Sequence, residues 1–270
     1  MTVSLLGVPY DEHSSFLRGA AFAPAALRRA LASESANWAA ESGLDLHPRF
    51  SLWTDRGDIE LAGEVVEVCD AIKSAIHALV ANGERVLSIG GDHLISWPVI
   101  SAFTETYEEL TVLHFDAHPD LYDELDGDRY SHACPFARLM EEGNVARLIQ
   151  VGIRTATPHQ RQQAERFGVE MLELAGWDYV IPPLSGPVYI TVDVDALDPA
   201  FVPGTSHHEP GGLSTRQLLD LLHQVRRQGV DVVGADIVEI NPTRDTDDMT
   251  AMVGAKLARE LLALLLAGNN

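Results

Sequence analysis

The sequence predicts an α/β protein of three layers, α/β/α, with a mostly parallel central sheet and a single domain spanning residues 1–270. Three observations carry this. Short apolar runs alternate with stretches of helical period along the chain. Strands that alternate with helices imply a parallel sheet covered on both faces. No composition break is long enough for a linker, and no repeat or low-complexity segment interrupts the alternation.

The elements follow in order. "VSLLGV" (residues 3–8) reads as a strand, and Pro24 before "AALRRALA" opens a helix, because proline is tolerated in the first turn. "GEVVEVCDAIKSAIHALVANG" (63–83) has helical period and stops at Asn82-Gly83. "RVLSIGG" (85–91), "LTVLHFD" (110–116), "VARLIQVGIR" (145–154) and "VYITVDVD" (188–195) are four further β-rich runs. Ser214 caps a helix that Gly229 closes. "VDVVGADIVEI" (230–240) is another buried strand, and residues 249–268 form a final helix.

Composition narrows the function classes. The chain has 270 residues, 46% hydrophobic and 22% charged, which is ordinary for a globular protein. Nineteen basic and 40 acidic residues give a net charge of −21. That argues against nucleic acid, whose phosphates need a basic footprint, and is compatible with cationic substrates or bound cations. No apolar run has the length of a membrane span, and "MTVSLLGVPYDE" lacks the basic region of a signal peptide. Two cysteines, Cys69 and Cys134, make no disulfide framework, so a cytoplasmic enzyme is the expectation.

Polar residues cluster at strand exits, where ligands gather in such folds. Gly90-Gly91-Asp92-His93 follows one run, and "DAHPD" places Asp116, His118 and Asp120 after another. Asp193 and Asp195 follow a third, and Glu239 ends a fourth. In extended backbone, residues two apart point to one side. The paired glycines alone are a weak phosphate-loop signal, with neither GxGxxG nor a P-loop lysine present. Four carboxylates and two imidazoles without a cysteine suit Mn²⁺ best, with Fe²⁺, Co²⁺, Ni²⁺ or Zn²⁺ as alternatives. Six ligands exceed the needs of one structural Zn²⁺ and suit two bridged ions. The carboxylates would cancel the charge of two divalent ions, and would repel one another without them.

"GGDH", "DAHPD", "TVDVDALDPAFVPGTSHHEPGGLS" and "VVGADIVEINPTRD" resemble the ureohydrolase family of arginases and agmatinases. "VPYDEHSSFLRGAAFAP", "DGDRYSHACPFARLMEEG" and "DMTAMVGAKLAREL" look most like its plant-type arginase branch. The resemblance covers nearly the whole chain. It implies the fold shared with metal-dependent deacetylases, two Mn²⁺ per chain, a small guanidino substrate, urea as product and a homotrimer or homohexamer. By motif, His93 and Asp120 would bind one ion, His118 and Asp195 the other, and Asp116 and Asp193 would bridge them. His132 resembles the family's proton-shuttle histidine, and Glu239 the glutamate that holds the guanidinium. A single-Zn²⁺ deacetylase and a catalytically inactive binding protein on this fold are the alternatives. The complete ligand set argues against both.

Guanidinium carbon is a poor electrophile, so attack needs hydroxide, and a bound metal can lower the pKa of water from about 15.7 to about 7. The leaving amine then needs a proton, which suits a histidine outside the metal shell. His207 and His208 are expected in substrate-loop packing rather than as ligands, and His114 in the core. Cys134 near His132 is not expected to act as a nucleophile. The substrate's tail is read from two positions. Thr157 stands where animal-type arginases carry the aspartate that grips the α-amino group, and Asp128 stands where plant-type arginases show asparagine. A carboxylate at Asp128 would repel a substrate carboxylate unless Arg129 turned inward. Agmatine is therefore slightly favoured over arginine, with other guanidino or formimino compounds behind.

Overall fold

The computed structural model describes residues 2–268. Eight strands form one sheet in the order β2-β1-β3-β8-β7-β4-β5-β6. They are β1 Val3–Gly7, β2 Trp53–Asp58, β3 Arg85–Ile89, β4 Thr111–Phe115, β5 Arg147–Ile153, β6 Glu170–Glu173, β7 Pro187–Asp193 and β8 Asp231–Val238. Every pairing is parallel. The helices are α1 Ala23–Leu31, α2 Val65–Ala81, α3 Ser96–Thr104, α4 Pro135–Glu142, α5 Pro158–Phe167, α6 Thr215–Gln228 and α7 Met249–Ala267.

Alternating strand residues feed two separate cores, as a pleat of period two requires. Leu5, Leu87, Leu113, Phe115, Ile190 and Ile237 pack with α1, α6 and α7 on one face. Leu6, Val86, Val112, Leu148, Tyr189 and Val233 pack with α2, α3, α4 and α5 on the other. Removing a fully buried leucine or phenylalanine from water stabilises the fold by about 1.5–3 kcal/mol. The three predicted layers are present.

The local signals act as chemistry predicts. Ser214 and Gln217 form a reciprocal capping box on α6, and Gly229 closes that helix in the left-handed region at φ 66°. The helices α3, α4 and α5 and the strands β2 and β6 are additional to the elements predicted. β2 and β6 are the two edges of the sheet. β2, "WTDRGD", is largely exposed, and β6, "EMLE", is half-buried throughout, so neither needs the apolar run that marks a central strand. The short helix α5 has Pro158 at its first position and a Thr157–Gln160 capping box, the same device as in α6.

The strand order places the polar clusters. β3, β8, β7 and β4 are neighbours at the centre of the sheet. Their C-terminal ends carry His93, Glu239, Asp193 with Asp195, and the loop from Asp116 to Asp120. The chain passes from β3 to β4 across a gap two strands wide, which β7 and β8 later fill. Residues distant in sequence thereby meet over one edge.

Candidate active site

The turn after β3 is built by close approach. A Cβ on Gly91 would overlap the Tyr10 carbonyl oxygen, while Gly91 N donates to Val8 O at 3.0 Å and Gly91 O accepts from Glu239 N at 2.9 Å. The paired glycines therefore let β1, β3 and β8 converge, rather than cradling phosphate. Asp92 then caps a short 3-10 turn, accepting from Leu94 N at 3.2 Å, and His93 begins that turn fully buried. His93 Nε2 lies 3.2 Å from Thr191 Oγ1, which leaves Nδ1 to face the carboxylates.

Around His93 Nδ1 lie Asp120 Oδ2 at 3.0 Å, Asp116 Oδ2 at 3.1 Å and Asp193 Oδ2 at 3.3 Å. The nitrogen makes a well-directed hydrogen bond to none of them. Three carboxylate oxygens thus surround one imidazole nitrogen. A second group adjoins it: His118 Nδ1 lies 3.1 Å from Asp195 Oδ2 and 3.4 Å from Asp116 Oδ1. Asp116 thus presents one oxygen to each imidazole. The other oxygen of Asp193 accepts from Asp195 N at 2.8 Å.

The electrostatics fit cations. Burial, with Asp195 and Asp116 beside it, pushes the Asp193 carboxyl well above its ordinary range. Burial opposes the charge on His118, yet Asp195 and Asp116 push its imidazole up to about 12. Four nearly buried carboxylates share two imidazoles as counter-charge, so the cluster is short of positive charge. Its oxygen and imidazole donors suit divalent first-row ions.

Beside the cage lies a cavity of about 200 Å³. His132 and Glu239 form its inner wall, with His132 Nδ1 at 2.7 Å from Glu239 Oε1. The same Oε1 accepts from His93 N at 2.9 Å, whereas Oε2 is buried without a partner among the described residues. Burial disfavours the imidazolium of His132, but the Glu239 carboxylate outweighs it and pushes the pKa up to about 9. His132 Nε2 lies 2.9 Å from Ser15 Oγ. Glu239 and Asp120 both hold left-handed backbone, at φ 64° and 49°. That conformation costs about 1–2 kcal/mol for a residue with a Cβ.

The predicted residues separate into those the fold brings together and those it does not. The six candidate ligands, His132 and Glu239 converge. Thr157 lines the cavity, and its hydroxyl is engaged in capping α5. Asp128 does not line the cavity: its Oδ2 lies 2.6 Å from His13 Nδ1, and its Oδ1 accepts from Tyr130 N. The expected repulsion of a substrate carboxylate loses its geometry, because His13, remote in sequence, turns Asp128 away. Arg129 turns outward to Asp123 and Glu141.

His207 lines the cavity, its ring centroid 4.9 Å from that of His132, and His208 Nε2 donates to Pro203 O at 2.9 Å. Neither joins the cage. His114, expected only as core, is buried and bonded to Asp116 at 2.7 Å. Its spacing of two from Asp116 on a strand is the signal that could have found it. Ser15 had no chemical signal of its own.

A parallel α/β sheet that gathers a buried His/Asp cage and a histidine–glutamate pair at one edge defines a metal-dependent hydrolase. Relatives narrow the class. The arginase family profile matches residues 1–264. "Arginase 1, mitochondrial" from Arabidopsis thaliana is 48% identical, over 97% of this chain and 80% of its own length. An agmatinase from Bacillus subtilis is 34% identical, over 96% of this chain and 90% of its own. The solved arginase from Medicago truncatula superposes with a TM-score of 0.90 at 42% identity, covering 98% of this chain and 87% of that one. The chain belongs to the arginase family of ureohydrolases, which are binuclear metal enzymes.

Proposed function

We propose that the chain is an arginase, hydrolysing arginine to ornithine and urea. One observation carries the guanidino reading: Glu239 Oε2 is a buried carboxylate oxygen without a partner, on the wall of the cavity beside the cage. A guanidinium N–H is the donor such an acceptor lacks. His93, Asp116, His118, Asp120, Asp193 and Asp195 would hold two divalent ions, with Mn²⁺ favoured by their donor set. When bound, such ions bring the pKa of water near neutrality.

The chain's own residues do the rest. Glu239 holds the guanidinium by Oε2 while its Oε1 stays tied to His93 N and His132 Nδ1. The Glu239 carboxylate favours the imidazolium of His132, and its Nε2 is the atom from which the departing amine would be protonated. Ser15 steadies that nitrogen.

Two findings support arginine rather than agmatine. Six curated plant arginases are 43–48% identical to this chain, and two curated agmatinases 33–34%. Beyond the cage and Glu239, the cavity wall has no carboxylate to take up the second cation of agmatine. Ser15 and Thr155 offer neutral polar groups that suit an amino-acid tail. The two buried free cysteines suit a reducing compartment, which supports the cytoplasmic expectation.

The test is urea release after Mn²⁺ loading from arginine, agmatine, guanidinobutyrate, guanidine and formiminoglutamate. Arginine is expected to give the highest kcat/KM. A preference for agmatine would overturn the substrate assignment, and no urea from any of them would overturn the reading altogether.

A further inference from the structure

His114 is the fully buried residue two positions before Asp116 on β4. The register of β4 on β5 pairs it directly with Gln150. Its Nε2 lies 2.7 Å from Asp116 Oδ2, and its Nδ1 lies 3.1 Å from Gln150 Nε2. Gln150 Nε2 also lies 2.5 Å from Pro119 O, inside the loop that carries the ligands.

The donor roles along this chain of contacts run one way. The Pro119 carbonyl oxygen only accepts, so the amide nitrogen of Gln150 faces it. That nitrogen only donates, so His114 Nδ1 must accept. A neutral imidazole that accepts at one nitrogen carries its proton on the other. The Nε2–H of His114 therefore points at Asp116 Oδ2. The ring is held in place by stacking on Phe136, with centroids 4.0 Å apart.

The opposite oxygen, Asp116 Oδ1, accepts from His118 N at 2.6 Å. Each oxygen thus spends one lone pair on a fixed protein donor and keeps the other for the cage. Asp116 Oδ2 faces the His93 side and Oδ1 the His118 side. A carboxylate free to rotate would lose that division.

We propose that His114, locked in one tautomer by Gln150, is a positioning residue that holds Asp116 across both metal positions and so sets metal affinity. This rests on the dinuclear reading of the cage. It assigns to His114 and Gln150 no contact with substrate.

The experiment is a Mn²⁺ titration of the metal-free chain, followed by arginine kinetics at saturating Mn²⁺. Wild type is expected to take up two ions. His114→Phe keeps a flat ring against Phe136 and removes the donor, so its Mn²⁺ affinity is expected to fall about 10–100-fold. At saturating Mn²⁺ its KM for arginine is expected to stay within about twofold of wild type, since uniform substrate binding is untouched. His114→Gln, which retains an N–H donor, is expected to recover most of the affinity. Gln150→Leu leaves the ring but frees its tautomer, and is expected to weaken binding as well.

Wild-type affinity in folded His114→Phe overturns the proposal, as does an equal loss in His114→Phe and His114→Gln, which would mean packing alone. If circular dichroism shows that His114→Phe does not fold, Gln150→Leu decides, and unchanged affinity there overturns the proposal. Failure of the cage reading is distinguishable, because wild type itself would then bind no pair of ions.

Discussion

Asp116 divides its two carboxylate oxygens between two histidines, Oδ2 at 3.1 Å from His93 Nδ1 and Oδ1 at 3.4 Å from His118 Nδ1. Asp116→Asn replaces one oxygen with a donor and removes the charge common to both groups. Metal analysis after Mn²⁺ incubation should show two ions per chain in wild type and a loss of more than one ion's worth of binding in Asp116→Asn. Asp120 touches only the His93 group, so Asp120→Asn should lose one ion and retain the other. A variant of Asp116 that keeps both ions at wild-type affinity would remove it from the bridge.

His132 is the proposed proton donor. His132→Asn should keep fold and metal but lower kcat by roughly 10²–10⁴-fold. The sign of the pH dependence follows from its raised pKa. A donor works only while protonated, so kcat/KM should fall as pH rises through the titration. The Glu239 carboxylate pushes that pKa up to about 9 in the chain alone, and bound divalent cations would draw it lower. The alkaline limb attributable to this group should be absent from the residual activity of His132→Asn. Identical profiles in both proteins would assign the limb elsewhere.

Glu239 is proposed to act twice, as acceptor for guanidinium and as the charge that raises the His132 pKa. Glu239→Gln should lower kcat/KM for arginine by about 10–100-fold, the scale of a hydrogen bond between charged groups. The same substitution should move the alkaline limb to lower pH. A fall in rate without that movement would mean that the two residues act independently.

Arginine should be the better substrate, and Asp128→Asn should leave the arginine-to-agmatine ratio of kcat/KM unchanged. Asp128 is turned to His13, and its side chain is 39% exposed, so losing the pair should cost stability less than about 1 kcal/mol. Thr157→Ala removes a helix cap and should destabilise by about 1 kcal/mol, read as a lower Tm. A shift of the ratio toward arginine in Asp128→Asn would restore a role for it at the cavity.

Gly91→Ala should damage the site more than either change. The methyl group cannot be accommodated without moving Tyr10 backbone, and the displaced turn carries His93. Lower Tm and weakened Mn²⁺ binding should appear together.

Much of this was legible because strand exits are chemically loud. An apolar run ending in Asp, His and Asp announces both a strand and what it carries, and with three more runs that end in Asp, His or Glu it predicts the α/β architecture and the cage at once. The edges were silent: β2 and β6 bury too little to need apolar residues. Direction was also hidden. Four residues of spacing placed Asp128 near His132 along the chain, but its partner His13 lies more than a hundred residues away. His114 looked like core because a buried imidazole and a buried leucine leave the same trace in an apolar run. Its spacing of two from Asp116 and its register with Gln150 distinguish them. The leaning toward agmatine rested chiefly on Asp128 and Thr157, with the acidity of Asp123, Glu124 and Asp126 beside them; Asp128 is turned to His13, and the Thr157 hydroxyl is engaged in capping α5.

The left-handed backbone at Asp120 and Glu239 has a consequence for how the enzyme could evolve. Glycine at either position would relax the local conformation, at the loss of a carboxylate proposed to hold metal or substrate. Laboratory selection for heat resistance alone would therefore reach glycine sooner at Asp120 than at Glu239, whose carboxylate holds His93 N and His132 Nδ1, and would discard turnover to obtain it. Drift in a lineage relieved of the reaction would leave the same mark, glycine at one or both, while the eight-stranded sheet endured.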